Sequence, residues 1–299
     1  MRRLGVVALT FVSAALLPRG AEPCSMCHCG DPAFTLLGSQ IFVPNVWHVG
    51  FGLDRFDKDQ VAEDDPTTRE EEVENRFTFS VSRTFGQRLT LVGRVPVSQR
   101  TITTVDGEDS ATGLSDPELL AHYRLVAPKE GTWLSLSLGL RSGWGQNNVQ
   151  RSGERAEEHL QPGTGAAGIS PGLSFSRVVG EARSGSIFGS VLGRFNGRND
   201  AGYHYGDAFL GNLGYERRLG DRFNAVLEAN FRWAAKDEPA VGEEDPNTGG
   251  SVLYVSPTVL LRVEQSLFLR FGVQIPVVKS LYGDQDEKVN LLTGFVFRF

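Results

Sequence analysis

One feature constrains this chain more than any other: apolar and polar residues alternate with a period of two, segment after segment, to the last residue. In "TWLSLSLGLR" (132–141), Leu134, Leu136, Leu138 and Leu140 share one face, opposed by Ser135, Ser137, Gly139 and Arg141. "NVWHVGFGLDRF" (45–56) sets Trp47, Val49, Phe51 and Leu53 against His48, Gly50, Gly52 and Asp54. "RFNAVLEANFRW" (222–233) and the closing "VNLLTGFVFRF" (289–299) repeat the pattern. Side chains alternate across a strand, so each segment reads as a strand with one oily side and one polar side.

Twelve such segments lie near 45–56, 74–86, 88–104, 114–126, 132–145, 166–179, 185–198, 205–219, 222–235, 251–263, 266–279 and 287–299. Each reaches the roughly 9–11 residues of a tilted membrane strand. Short turns around Gly86, 127–131, 180–184, Gly220-Asp221 and 264–265 alternate with longer loops at 57–73, 105–113, 146–165, 199–204, 236–250 and 280–286. An even strand number with alternating short and long connections predicts an all-β fold: a closed antiparallel transmembrane β-barrel over 45–299, with short periplasmic turns and long extracellular loops. A soluble β-sandwich also alternates. Its strands are usually five or six residues long, shorter than these segments. The barrel puts both termini in the periplasm of a Gram-negative cell.

The N-terminus agrees. Arg2 and Arg3 precede the apolar run "LGVVALTFVSAALL" (4–17), too short to span a bilayer as a helix. This is the pattern of an export signal over 1–21, with Ala15 and Ala21 both candidate cleavage points. Residues 22–44 then form a periplasmic segment before the first strand. The net charge of −6 argues against nucleic acid as a partner. The partners expected instead are outer-membrane lipid and lipopolysaccharide, the barrel-insertion machinery and a small-molecule solute.

All three cysteines lie in "CSMCHCGDP" (24–32), with one of the two methionines and one of the five histidines. Three readings stay open. Cys24, Cys27 and His28 fit the C-x-x-C-H attachment pattern of haem c, although Cys29 follows at once. Cys24, Cys27, Cys29, Met26 and His28 together suit copper or zinc. A Cys24–Cys27 disulfide, or a C-x-C pair, could instead stiffen a tether. The expectation is a soft-metal site or a disulfide rather than haem.

"GLSDPELLAHYRL" (113–125), "LQPGTG" (160–165), "YHYGDAFLGNLGY" (203–215), "TGGSVLYVSPTVLLRV" (248–263) and "GVQIPV" (272–277) occur in this order. They resemble the outer-membrane barrels grouped with the meta-pathway of phenol degradation. The resemblance covers about 45–299. It implies a small barrel that moves small, often aromatic or hydrophobic, molecules. The cysteine cluster is not among the features of the phenol-linked examples.

By parity, His48, Arg94, Glu118, His122, Arg124, Arg141, Arg194, Glu228, Arg232, Arg262, Arg270 and Arg298 point into the lumen. Their positive balance either favours an anionic solute or forms a salt-bridged filling. The acidic runs "DKDQVAEDDPTTREEEVE" and "KDEPAVGEEDPN" read as solvated loops, with cation binding beside lipid phosphates as the alternative. Phe295, Phe297 and Phe299 form a terminal aromatic strand, the expected assembly signal. No nucleophile elbow, H-E-x-x-H or phosphate loop is present, so no enzyme is expected. A barrel lipase would need a Ser–His pair at the outer rim, where only His159 and His204 are placed. The expected function is an outer-membrane channel or transporter for a small solute. The alternative is a metal- or haem-bearing accessory held by the barrel.

Overall fold

The computed structural model describes residues 45–61, 69–126, 131–180 and 184–299. The predicted signal over 1–21, the segment over 22–44 and all five candidate ligands of the cysteine cluster lie outside the described residues.

Twelve antiparallel positions close into a barrel. Its strands are β1 (Trp47–Val61), β2 (Arg69–Phe85), β3 (Leu89–Thr104), β4 (Gly107–Leu114), β5 (Glu118–Arg124) and β6 (Thr132–Arg141). A two-strand loop hairpin follows, β7 (Gln150–Arg151) and β8 (Glu154–Arg155). The wall resumes with β9 (Gly168–Val179), β10 (Gly185–Asn196), β11 (Ala208–Leu219), β12 (Phe223–Ala234), β13 (Gly250–Arg262) and β14 (Leu267–Leu281). It ends with β15 (Gln285–Glu287) and β16 (Asn290–Arg298). Strands β4 and β5 share one wall position, since both pair with β3. β1 closes the sheet by pairing with β2 on one side and β16 on the other. Among the described residues the helical structure is one 3-10 turn, Glu158–Leu160.

The alternation sets the two faces. Leu134, Leu136, Leu138 and Leu140 are 38–50% exposed on the outside. Ser135 and Arg141, of opposite parity on the same strand, are buried. Phe51, Phe77, Phe79, Leu173, Val191, Phe209, Leu227, Phe271 and Phe295 continue the apolar outer face around the barrel. A belt of this extent is far larger than a protein in water leaves bare, and closure satisfies every wall N–H and C=O internally. The belt is therefore the lipid-facing surface of a transmembrane barrel. At the short-turn end Gly86 and Gly220 take φ of +58° and +77°, left-handed values that favour glycine.

Several stretches read as loops are paired strands. β1 runs to Val61 and β2 begins at Arg69, so much of 57–73 is hairpin. Its charges are matched by partners: Lys58 opposes Glu72, and the two carboxylates Asp59 and Glu71, which oppose each other, are bridged by Lys288. Polarity marked a loop; cross-strand ion pairs made a strand. Likewise 105–113 is largely β4, which pairs with β3 around a turn at Val105-Asp106. Part of 280–286 enters β14 and β15, the latter paired with β1. The loop 146–165 departs most from expectation. Rather than standing out from the rim, it folds into the barrel.

Candidate functional site

The inward segment runs from Ser142 to Ala167, between β6 and β9. Its neck is held where the fourth wall position breaks, at Ser115-Asp116-Pro117. Pro117 has no N–H to continue the ladder, so the chain is free to turn there. Asp116 Oδ1 accepts the N–H of Gly145 at 2.9 Å. Its Oδ2 accepts the N–H of Thr164 at 2.8 Å and the Thr164 hydroxyl at 2.6 Å. Ser115 Oγ lies 2.7 Å from both Ser98 Oγ and the Pro162 carbonyl. The two arms of the neck touch backbone to backbone: a Cβ on Gly163 would stand 2.5 Å from the Gly145 Cα. Only glycine fits there.

Beyond the neck, Gln161 ties the segment to itself. Its Oε1 accepts the Val149 N–H at 2.8 Å, and its Nε2 donates to the Ala156 carbonyl at 2.8 Å. Val149, Ala156 and Leu160 then pack with Ile102 of β3 and Ala111 of β4 in a small apolar cluster. Burial of this cluster is what draws the segment against the inner wall.

The tip of the segment docks on charge. His159 Nδ1 lies 3.0 Å from Glu72 Oε1, and Lys58 Nζ meets the same oxygen at 2.9 Å. Gln60 Nε2 is 3.3 Å from His159 Nδ1. Arg100 donates to the His159 carbonyl at 2.9 Å. Glu74 accepts two bonds from Arg76, at 3.0 and 2.9 Å, and one from Ser98 at 2.5 Å. Glu158 accepts from Tyr205 at 2.9 Å and from Asn199 at 3.1 Å. Asp237 accepts from the Tyr203 hydroxyl at 2.9 Å and the Gly206 N–H at 2.7 Å. Buried charges are tolerated when each meets partners of good geometry, and these do. Burial, the largest effect, holds the Glu70 carboxyl above the usual carboxylate range, with Glu72 adding to it.

The predicted lumen residues separate into three sets. Glu118 is shared by Arg94 at 3.6 Å and Arg194 at 3.3 Å, and Arg141 donates to Asn196 at 2.9 Å. These four come together beneath the neck, at a small polar cavity also lined by Arg76, Thr78, Pro96 and Asp116. A second set is dispersed along the inner wall. Arg270 pairs with Asp54 at 2.9 Å, Arg232 with Glu287 at 2.6 Å, and Glu228 accepts from Asn212 at 3.1 Å. His122 contacts Ser137 at 2.8 Å, Arg124 stacks over Trp133, and His48 is buried. The third set lies at the open end of the inner face. Arg262 and Arg298 lie at strand ends on the short-turn rim, where parity no longer fixes depth. Arg262 is exposed and donates to the Asp221 carbonyl; Arg298 donates to the Gln265 carbonyl at 3.0 Å.

Described members of the acidic stretches pair with neighbouring cations. Lys288 meets Asp59 at 2.9 Å and Glu71 at 3.0 Å, and Lys236 meets Glu244 at 3.1 Å. Among the described residues no group of three or more His, Cys, Asp or Glu side chains is placed to hold a metal ion. His159 is turned inward onto Glu72, and His204 Nε2 lies 3.0 Å from the Asn196 carbonyl.

Sequence reading missed Asp116, Thr164, Lys58, Glu72, Glu74, Arg76 and Arg100. The first two were visible only as turn chemistry in "GLSDPELL" and "LQPGTG", the very segments the structure joins. The others were hidden in strands mistaken for loops or left out of the parity list.

The family model described as "Putative MetA-pathway of phenol degradation" matches residues 57–278. The fold is similar to that of an outer-membrane channel from Pseudomonas putida F1, with a TM-score of 0.68, 10% identity and coverage of 89% of this chain and 99% of that one. It is also similar to the β-domain of the Bordetella autotransporter BrkA, at a TM-score of 0.50 and 14% identity, covering 84% of this chain and 99% of that one. Likeness at such identity speaks to the fold. No curated protein matches the sequence.

Proposed function

The chain belongs to the family of the MetA-pathway of phenol degradation, and from that premise we propose that it is an outer-membrane channel for a small solute. The observation that carries the reading is the inward segment. A closed wall with a lipid-facing belt surrounds a polar interior, and Ser142–Ala167 narrows that interior from within, fixed by Asp116. A polar lumen with an internal constriction is the arrangement of a size-limited pore. The Pseudomonas putida barrel of like fold is itself an outer-membrane channel, which supports the same assignment here. The family description favours aromatic or hydrophobic cargo, and the arginines favour anionic cargo.

In this reading the short turns and both termini face the periplasm, and the aromatic terminal strand is read by the insertion machinery. The N-terminal cysteines are a periplasmic site for soft metal or a disulfide, checked by an absorption spectrum and metal analysis of native protein. No catalytic role is proposed. Planar-bilayer recording of the purified protein tests the channel. Discrete conductance steps are expected, larger in a variant lacking the segment tip around Glu158–Leu160. Absence of conductance in both would overturn the proposal.

A further inference from the structure

The outer rim of the wall at the short-turn end carries arginines that are held in different ways. Arg83 lies over the Trp47 and Phe85 rings, at 4.9 and 5.2 Å, and Arg88 donates to the Tyr123 hydroxyl at 3.3 Å. Arg177 of β9 and Arg217 of β11 are exposed and, among the described residues, meet neither a carboxylate nor an aromatic face. Both have the parity of the lipid belt. Leu173 and Phe175 precede Arg177 on its face, and Leu213 and Tyr215 precede Arg217, all four 43–55% exposed. Each arginine stands two residues before the end of its strand. The two guanidinium groups therefore lie at the lower edge of the belt, where hydrocarbon gives way to headgroups.

The register brings them to one place. Arg177 pairs with Ile187 of β10, and Ile187 with Tyr215. One row nearer the turn, Gly185 pairs with Arg217, and Arg217 with Ala225. The two arginines thus stand two strands apart and one row offset, with Gly185 between them. Neighbouring strands are about 4.8 Å apart, so both long side chains reach a group held over Gly185. A Cβ on Gly185 would stand 3.0 Å from the Tyr215 hydroxyl oxygen and 3.2 Å from its ring. Tyr215 leans over the glycine, and its hydroxyl joins the two arginines around a notch floored by Gly185 and Ala225. Arg218 and Arg222, exposed towards the same turn, add positive charge. Glu216 is turned inward and accepts from Asn224 at 2.6 Å, which leaves Asp221 as the exposed carboxylate of that turn.

We infer that this notch binds the headgroup of an anionic phospholipid, with Arg177, Arg217 and the Tyr215 hydroxyl donating to its phosphate and its acyl chains lying on Leu173, Ile187 and Leu213. Phosphate oxygens accept the parallel N–H donors of a guanidinium group. A headgroup without an ammonium of its own suits a rim with an excess of arginine. The notch opens outward from the wall, and the apolar belt begins directly above it, so the ligand has chains as well as charge. With the short turns in the periplasm, as proposed above, this lipid belongs to the inner leaflet. The binding itself does not depend on whether the barrel conducts.

Native mass spectrometry of the full-length, detergent-folded protein tests this, with dioleoylphosphatidylglycerol as probe and dioleoylphosphatidylcholine as the zwitterionic control. The barrel is expected to retain the anionic lipid in preference to the zwitterionic one. Arg177→Gln and Arg217→Gln should each lower that retention about fivefold, the worth of one basic residue at an anionic surface. Arg222→Gln, in the turn and off the notch, should change it little. Inorganic phosphate in excess should not displace the lipid, because it lacks the chains. Heat-modifiable migration on gels shows that each variant is folded, and either notch arginine alone carries the test. Equal retention of the two lipids, or unchanged retention in both notch variants, would overturn the site. An equal loss in Arg222→Gln would replace it with a diffuse charge effect, and displacement by phosphate would remove the lipid as its ligand.

Discussion

Asp116 and Thr164, 48 residues apart, share two hydrogen bonds on one carboxylate oxygen, from the Thr164 N–H at 2.8 Å and its hydroxyl at 2.6 Å. A third bond, from the Gly145 N–H at 2.9 Å, uses the other oxygen. One side chain at a break in the wall thus closes both arms of the inward segment. Thr164 is fully buried, so water does not replace the carboxylate.

Asp116→Ala should release the segment. Each buried N–H left without an acceptor costs about 1–3 kcal/mol. The temperature at which the barrel loses its folded mobility on gels should fall, and single-channel conductance should rise. Asp116→Asn keeps one acceptor oxygen and should have a smaller effect on both. Unchanged mobility and conductance in Asp116→Ala would remove the latch from the account.

How much of this was legible in the sequence depends on the kind of signal. The leucines of β6 declared the wall because alternation is local and the lipid belt enforces it at every strand. The same rule says less at Arg262, which has the parity of an inward residue yet is exposed at the last paired position of β13. It failed at Lys58 and Glu72, whose charge suggested a loop until the opposing strand supplied a partner. The fold of 142–167 was not legible at all. Its direction depends on Asp116 meeting Thr164 across 48 residues, a contact with no period.

The lipid belt gives a depth-dependent prediction. Leu136 is at the centre of the outer face of β6, and Val263 lies in the turn after β13. Arginine costs about 2–4 kcal/mol at the bilayer midplane and about 0–1 near the interface. Leu136→Arg should therefore destabilise the barrel by the larger amount and Val263→Arg by the smaller, measured by equilibrium unfolding in lipid. Equal costs would contradict the assigned belt.

At the seam, Phe299 N–H donates to the Trp47 carbonyl at 3.1 Å, and Trp47 N–H to the Phe299 carbonyl at 2.9 Å. Phe51 of β1 packs between Phe79 and Phe295, with ring centroids 5.0 Å away on each side. Closure removes the last open edge, which is what lets the backbone enter lipid. Removing Phe297–Phe299 takes away the final bonds and part of the aromatic row. The amount of heat-modifiable barrel recovered from the outer membrane should drop, while Phe299→Tyr, which keeps the backbone bonds, should assemble. Normal recovery of the truncated chain would show that the seam closes without them.

The docking of the segment tip should respond to pH through Glu70. This carboxyl lies above the lipid belt, at the level of the polar Asp59 and Glu71, and faces Gln60, Glu72, His159 and Lys58. Burial raises its pKa, Glu72 adds to the rise, and Gln60, His159 and Lys58 oppose it. Between the ordinary and the raised value, the folded barrel binds more protons at this position than the unfolded chain does. Stability therefore falls as pH rises through that window, because the group must ionise where its charge is poorly solvated. Glu70→Gln removes the ionisation and keeps a hydrogen-bonding group beside Gln60. The variant should gain stability over wild type at about pH 7 and show little difference at about pH 4, where the wild-type carboxyl is protonated. Thermal midpoints of folded gel mobility at the two pH values measure this; a difference that stays the same at both would rule out Glu70 as the source.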